Sequence, residues 1–152
     1  MNDLEIVARQ LGRPPRAFRR VAVRCPFGLP AVTEQEPFDE RGAPFPTQFW
    51  VTCPHLVAQI SRLEAAGGVE RWTRAAVDDA ALRASLGRAH AEQRSLRPEL
   101  PGGVAGATRG GSLKCLHAHA AFALARPPYE LGDRILADVG ELWPQTACCT
   151  AL

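Results

Sequence analysis

Residues 49–68, FWVTCPHLVAQISRLEAAGG, contain a strand, the start of a helix and its end. The apolar run at residues 49–52 predicts a short strand, and Pro54 predicts the first residue of a helix, where proline is favoured. Cys53 therefore lies at or near the helix cap. Apolar residues then recur at helical spacing until Gly67 and Gly68 end the helix. They are Leu56, Val57, Ile60 and Leu63.

The stretches on either side of this segment predict an α+β fold. Upstream, the pattern predicts a helix at residues 3–11 and strands at residues 18–25 and 31–35. Downstream, it predicts helices at residues 69–76, 80–96, 112–125 and 131–142. We therefore expect one domain over residues 1–152, in which a small antiparallel sheet of about three strands packs with four or five helices. A long loop rich in glycine and proline at residues 97–111 and a tail at residues 144–152 complete it.

The composition is that of an ordinary globular protein. Apolar residues make up 46% and charged residues 22%, and the net charge of +2 is too small to indicate a nucleic-acid or membrane partner. The acidic start lacks the pattern of a signal peptide, and no apolar window approaches the ~20 residues of a membrane span. These features predict a soluble cytoplasmic protein. The segment at residues 9–24 is basic because it contains six arginines. Phe18 is its only aromatic residue, which favours a solvated surface over a nucleic-acid interface.

The chain has five cysteines, at positions 25, 53, 115, 148 and 149. An odd number in a chain without a signal favours reduced thiols, metal ligands or a reactive thiol over a disulfide framework. Cys53 at a helix start meets the positive end of the helix dipole, which favours thiolate. The alternative is a buried cysteine that packs as a small hydrophobic residue.

Residues 114–119, KCLHAH, concentrate metal-ligating side chains. If the helix is already regular at Cys115, then His119 shares its face, four residues on. If Cys115 lies in a looser first turn, His117 can join it. Cys25 and the Cys148-Cys149 pair could complete a tetrahedral zinc site or hold an iron–sulfur cluster. The alternative is a capped helix with one buried cysteine and two surface histidines.

Five segments in this order form a recognisable series: residues 24–30 (RCPFGLP), 44–54 (PFPTQFWVTCP), 63–64 (LE), 88–90 (RAH) and 114–117 (KCLH). The chain resembles the bacterial, mostly actinobacterial, family called domain of unknown function 501, from about Leu11 to near the C-terminus. The resemblance implies no activity. It places Cys25, Cys53, Cys115 and His117 on motif positions and implies a cysteine near the C-terminus; it favours His117 over His119.

Three hypotheses follow. In the leading one, Cys25, Cys53 and Cys115, with His117 or Cys149, gather around one metal centre, zinc or an iron–sulfur cluster, that joins sheet and helices. In the second, a metal-free thiol enzyme uses Cys53 or Cys115 as nucleophile and His117 as base. In the third, a binding module without chemistry contacts a protein or nucleic acid through the basic N-terminus or the loop at residues 97–111.

Overall fold

A computed structural model describes residues 1–109 and 113–147. Over these residues the predicted α+β fold is confirmed: a three-stranded antiparallel sheet packs with six α-helices. The strands are β1 (Phe18–Arg24), β2 (Pro30–Gln35) and β3 (Phe49–Val51). The helices are α1 (Asp3–Leu11), α2 (Pro54–Ala65), α3 (Gly68–Asp78), α4 (Ala80–Leu96), α5 (Leu116–Ala125) and α6 (Glu130–Val139).

The sheet has the order β1-β2-β3, so that β3 forms one edge. Val32 of β2 lies opposite Val51 of β3, and Glu34 lies opposite Phe49. Because side chains alternate between the two faces along a strand, Val51 and Phe49, which are two residues apart, lie on the same side of the sheet. Phe49 meets Phe122 of α5 edge to face, with ring centroids 5.9 Å apart. This side of the sheet therefore faces α5.

Helix α5 is the central helix of the core. Its residues from Ala118 to Ala123 are all buried, as expected for a helix that is apolar on every side. Alanines dominate the sequence LHAHAAFALA, and their small side chains allow other elements to approach it closely. The exceptions to its apolar character are His117 and His119, which lie two residues apart.

Helix α2 begins and ends where the sequence predicts. Cys53 has extended backbone geometry as the N-cap, Pro54 is the first helical residue, and Leu56 and Ile60 are fully buried. Gly67, with φ of 84°, adopts the left-handed conformation in which glycine is favoured, and this allows the chain to turn directly into α3.

The predicted helix at residues 112–125 begins later than expected. Lys114 has a φ of 64° and Cys115 is extended, so regular helix starts only at Leu116. Ser112, the expected cap, lies outside the described residues. At the other end, the helix predicted for residues 131–142 stops at Val139, because Gly140 has a φ of 86° and leaves helical geometry.

The long loop that starts at Arg97 is anchored to the domain. The buried guanidinium group of Arg97 donates hydrogen bonds to the carbonyl groups of Phe45 and Gln35. Further along, the backbone N–H of Val104 donates to His90 Nδ1 at 3.0 Å. A Cβ atom at Gly103 would lie 2.1 Å from the same nitrogen, so only glycine allows this close approach.

Candidate functional site

A pocket of about 360 Å³ opens between β3, α2 and the start of α5. Its walls are aromatic and aliphatic, and two of its lining residues, Cys115 and His117, carry chemically reactive side chains. The lining residues are Thr47, Phe49, Trp50, Val51, Val57, Cys115, His117 and Ala118. An apolar pocket with a few polar groups at one place is typical of a small-molecule site.

The start of α5 is held in place by a side chain of α2. One carboxylate oxygen of Glu64, Oε2, accepts the backbone N–H of Leu116 at 2.7 Å. The first N–H groups of a helix have no partner within the helix, so this carboxylate acts as a cap supplied by another helix. It fixes the position of His117, the next residue.

His117 lies between two side chains of α2. Its Nδ1 is 3.1 Å from the same oxygen of Glu64, and its Nε2 is 3.4 Å from Ser61 Oγ. A carboxylate only accepts hydrogen bonds, so Nδ1 carries the proton and Nε2 presents its lone pair to the Ser61 hydroxyl. The result is a chain of carboxylate, imidazole and hydroxyl, the arrangement in which a histidine acts as a base.

The α2 side of the site is one helical face. Val57, Ser61 and Glu64 are spaced by four and three residues, which places them on the same side of the helix. Val57 lines the pocket, so that the Ser61 hydroxyl lies one turn from the pocket wall. The side chain of His117 is 28% exposed and that of Glu64 24%, which leaves the pair accessible to a ligand.

Cys115 is the N-cap of α5 and is half-buried at the pocket. Burial raises the pKa of its thiol, and the Glu64 carboxylate adds to this. The backbone N–H groups of Ala118 and His117, and the Lys114 ammonium, act in the opposite direction without cancelling the effect of burial. Cys115 is therefore a protonated thiol at neutral pH, and it needs a base before it can act as a nucleophile.

The two other described cysteines do not line this pocket. Cys25 and Cys53 are buried in the hydrophobic core. The His117 ring lies between Ser61 and Glu64, which are about 12 and 16 Å from Cys53 along the axis of α2. The ligand atoms of one zinc ion all lie about 2 Å from the metal, so Cys53 and His117 are too far apart to share one ion.

In the part of the chain that the structure describes, no three His, Cys, Asp or Glu side chains form a group that could hold a metal ion. Cys148 and Cys149 lie outside the described residues. The structure thus brings Cys115 and His117 together and places Cys53 near the other end of α2. A metal centre that includes Cys149 stays a prediction.

His119 does not take part in the pocket. Its ring is fully buried, Nε2 donates to the Leu113 carbonyl at 2.9 Å, and Nδ1 accepts from the Tyr129 hydroxyl at 2.8 Å. Burial lowers the pKa of His119 to about 4. The late start of α5 explains the outcome, because Cys115 lies before the first regular turn and does not share a helical face with His119.

The RAH motif at residues 88–90 has a structural role. Arg88 forms an ion pair with Glu130 of α6 at 3.2 Å, and Ala89 is buried in the core. His90 is buried against the anchored loop, and burial lowers its pKa. The motif therefore connects α4 to α6 and to the loop.

Much of the basic charge near the N-terminus is paired with acidic side chains. Four of the six arginines between residues 9 and 24 form ion pairs, and Glu34 accepts two of them while it is buried. The pairs are Arg16–Asp39, Arg19–Glu34, Arg19–Glu36, Arg20–Glu34 and Arg24–Asp3. This pairing reduces the positive potential that a nucleic acid could meet.

Two residues of the site have no predicted role in the sequence. Glu64 belongs to a motif segment, but nothing in its local spacing relates it to His117, 53 positions later. Ser61 belongs to no motif. The helical spacing of Val57, Ser61 and Glu64 is the sequence signal that could identify them, because it places two polar side chains on the same helical face as an apolar one.

The chain belongs to the DUF501 family. The sequence pattern of the family described as "Protein of unknown function (DUF501)" matches residues 21–102, which is more than half of the chain. No curated protein and no solved structure matches it. Among residues 1–109 and 113–147, no helix has both the length and the apolar character that a membrane span requires.

Proposed function

We propose that this DUF501 protein is a hydrolase that cleaves ester or thioester bonds, with Ser61 as nucleophile, His117 as general base and Glu64 as the carboxylate that orients His117. The observation that carries the proposal is the continuous contact from Glu64 through His117 to the Ser61 hydroxyl beside an apolar pocket. A nucleophile, a base and an orienting group in hydrogen-bonded sequence are the recurring elements of acyl transfer.

The proposed reaction proceeds in two balanced steps. Ser61 Oγ attacks the carbonyl carbon of the substrate while its proton moves to His117 Nε2, and the imidazolium then gives that proton to the departing alcohol or thiol. The acyl group remains on Ser61. Water, deprotonated by Nε2, attacks this ester and releases the acid, and the proton returns to Ser61. Glu64 stays ionised throughout and stabilises the imidazolium through Nδ1.

Proton transfer from Ser61 to His117 requires only a small shortening of the distance between them. The distance of 3.4 Å between Ser61 Oγ and Nε2 is longer than a strong hydrogen bond, and such contacts tighten when substrate binds. Ser61 itself is exposed, and so a substrate carbonyl has access to its hydroxyl. The geometry therefore supports attack from the solvent side at the rim of the pocket.

A fluorophosphonate probe, which phosphonylates activated serine hydroxyls, tests the proposal directly. We expect the probe to label Ser61 alone, and we expect Ser61→Ala and His117→Ala to abolish labelling. Ser95 is a matched control because it is also exposed on a helix, α4, but within residues 1–109 and 113–147 it forms no hydrogen bond with a histidine. Mass spectrometry of digested protein identifies the site. Labelling of Ser95 at the same rate, or retention of Ser61 labelling in His117→Ala, would contradict the proposal.

A second candidate keeps the same base and uses Cys115 as the nucleophile. The observation in its favour is that Cys115 and His117 line one pocket, with the thiol at the N-terminus of α5. Alkylation by iodoacetamide and the hydrolytic activity of Cys115→Ala separate the two candidates. If Cys115 is the nucleophile, iodoacetamide reacts quickly and saturably with it at neutral pH and Cys115→Ala removes hydrolysis. If Ser61 is the nucleophile, the raised pKa of Cys115 makes its alkylation slow and Cys115→Ala retains hydrolysis.

A further inference from the structure

The chemistry of the pocket walls restricts what the site can bind. Thr47, Phe49, Trp50, Val51, Val57 and Ala118 carry no charge, and neither Lys nor Arg is among the lining residues that the structure describes. A carboxylate or phosphate inside the pocket would lose its hydration without gaining a Lys or Arg partner, which is costly. An uncharged apolar group loses nothing and gains the hydrophobic contribution.

The position of the pocket relative to the nucleophile decides which part of a substrate occupies it. Val57 is one helical turn from Ser61 on the same face of α2, and His117 lines the pocket while its Nε2 faces the Ser61 hydroxyl. A carbonyl group at Ser61 therefore has the pocket directly beside it. The chain attached to that carbonyl can extend along Val57 towards the aromatic walls of β3.

We propose that this pocket is the acyl-binding subsite, that it selects short uncharged chains, and that Val57 sets the length. The inference rests on the proposed function, since it assigns a substrate class to the same site. The volume of about 360 Å³ is near the lower end of the range for small-molecule pockets. It accommodates a short hydrocarbon chain or one aromatic ring, and its uncharged walls disfavour a charged group.

The test uses a series of p-nitrophenyl esters from acetate to dodecanoate with the purified full chain. Each methylene buried in an apolar site raises kcat/KM by up to about fourfold. We expect kcat/KM to rise along the series until the pocket is full and then to stop rising or to fall. The succinate monoester, which carries a carboxylate at the chain end, should be hydrolysed at least about tenfold more slowly than the butyrate ester.

Two substitutions at Val57 give opposite shifts. Val57→Phe fills the pocket and should move the maximum of the series to shorter esters, whereas Val57→Ala enlarges it and should move the maximum to longer ones. Val77→Phe is the matched control, because it makes the same substitution at an exposed position of α3 that does not line the pocket, and it should leave the profile unchanged. Thermal unfolding of each variant shows that it is folded under the assay conditions.

The outcomes separate this inference from the function on which it rests. If no ester is hydrolysed in a manner that His117→Ala abolishes, both proposals fail. If hydrolysis depends on His117 but kcat/KM is the same at every chain length, only the acyl subsite is wrong. A Val57→Phe profile that matches the wild type while the protein is folded has the same meaning, because the added ring would then lie outside the substrate path.

Discussion

His117 and His119 are the same residue type, two positions apart on one helix, and the fold gives them different environments. His117 is partly exposed at a pocket, with a carboxylate on one nitrogen and a hydroxyl group on the other. His119 is fully buried, with a carbonyl group on one nitrogen and a tyrosine hydroxyl on the other. Because residues two apart on a helix point in different directions, one ring faces solvent and α2 while the other faces the core.

The difference shows which contacts leave a histidine free to act. Both ring nitrogens of His119 are hydrogen-bonded inside the core. The lowered pKa of His119 keeps the ring neutral. His117 has one nitrogen held by a negative charge and the other directed at a hydroxyl group that a substrate can reach. We infer that His117 serves chemistry and His119 serves stability, and each prediction below tests one side of that division.

The largest expected effect is on catalysis. If His117 is the base, His117→Ala should lower kcat/KM for the best ester by about 10³-fold, the usual contribution of a general base, with little change in Tm. His119→Ala should do the reverse. It leaves the Tyr129 hydroxyl without its partner, removes one of the two hydrogen bonds at the Leu113 carbonyl and creates a cavity, and so it should lower the free energy of unfolding by about 3 kcal/mol.

Ester hydrolysis and chemical denaturation of both variants provide the measurement. The activity of His119→Ala is to be measured at a temperature at which the variant is fully folded, so that lost stability is not counted as lost catalysis. Equal activity in the wild type and His117→Ala would remove the division between the two histidines. So would an unfolding free energy that falls equally in both variants.

The second effect concerns the pH dependence of stability. The pKa of His119 is about 4 in the fold and near 6.5 in the unfolded chain. The unfolded state therefore binds more protons between these values, and the free energy of unfolding decreases as the pH falls from 6.5 to 4. At 1.36 kcal/mol per pH unit, this residue accounts for about 3 kcal/mol. The lowered pKa of His90 acts in the same direction.

Denaturation of the wild type and His119→Gln at several pH values isolates this contribution. Glutamine does not titrate, so the variant should lose less stability than the wild type between pH 6.5 and 4, although it starts from a lower value. Parallel curves for the two proteins would show that His119 is protonated in the fold and is not the neutral core residue described above.

The smallest expected effect is that of His117→Ala on metal content, which should not change. Cys53 and His117 are too far apart along α2 to share one ion, so the two residues should differ in any effect on metal content. If a zinc or iron–sulfur centre forms from Cys25, Cys53 and Cys149, then Cys53→Ser removes the metal and His117→Ala retains it. Elemental analysis of protein purified without oxygen and without added metal measures both. Loss of metal in both variants would restore the single centre predicted from the sequence.

The elements of the fold could be predicted from local sequence because their signals are local. Pro54 after an apolar run and Gly67 after an apolar stripe define α2 without reference to the rest of the chain. The same is true of α1, where Asn2 caps the helix and Gly12 ends it. The start of α5 was mispredicted because a left-handed Lys114 has no residue-type signal of the kind that glycine provides.

The site could be predicted only in part. Cys115 and His117 were candidates because of their residue types, and the pocket contains both. Their partners come from α2, more than 50 positions earlier, and periodicity carries no information about which helix packs against which. The choice between His117 and His119 depended on the first turn of α5, which is the least regular part of the helix.

The carboxylate of Glu64 has a consequence for how the site forms. One oxygen closes the first turn of α5 and holds the imidazole of His117, so helix docking and assembly of the base are a single event. Partial separation of α2 from α5 would therefore break both contacts of Glu64 while the rest of the protein is still folded. If the proposed hydrolysis occurs, we expect it to be lost at a lower temperature or denaturant concentration than that of global unfolding, because it depends on this junction alone.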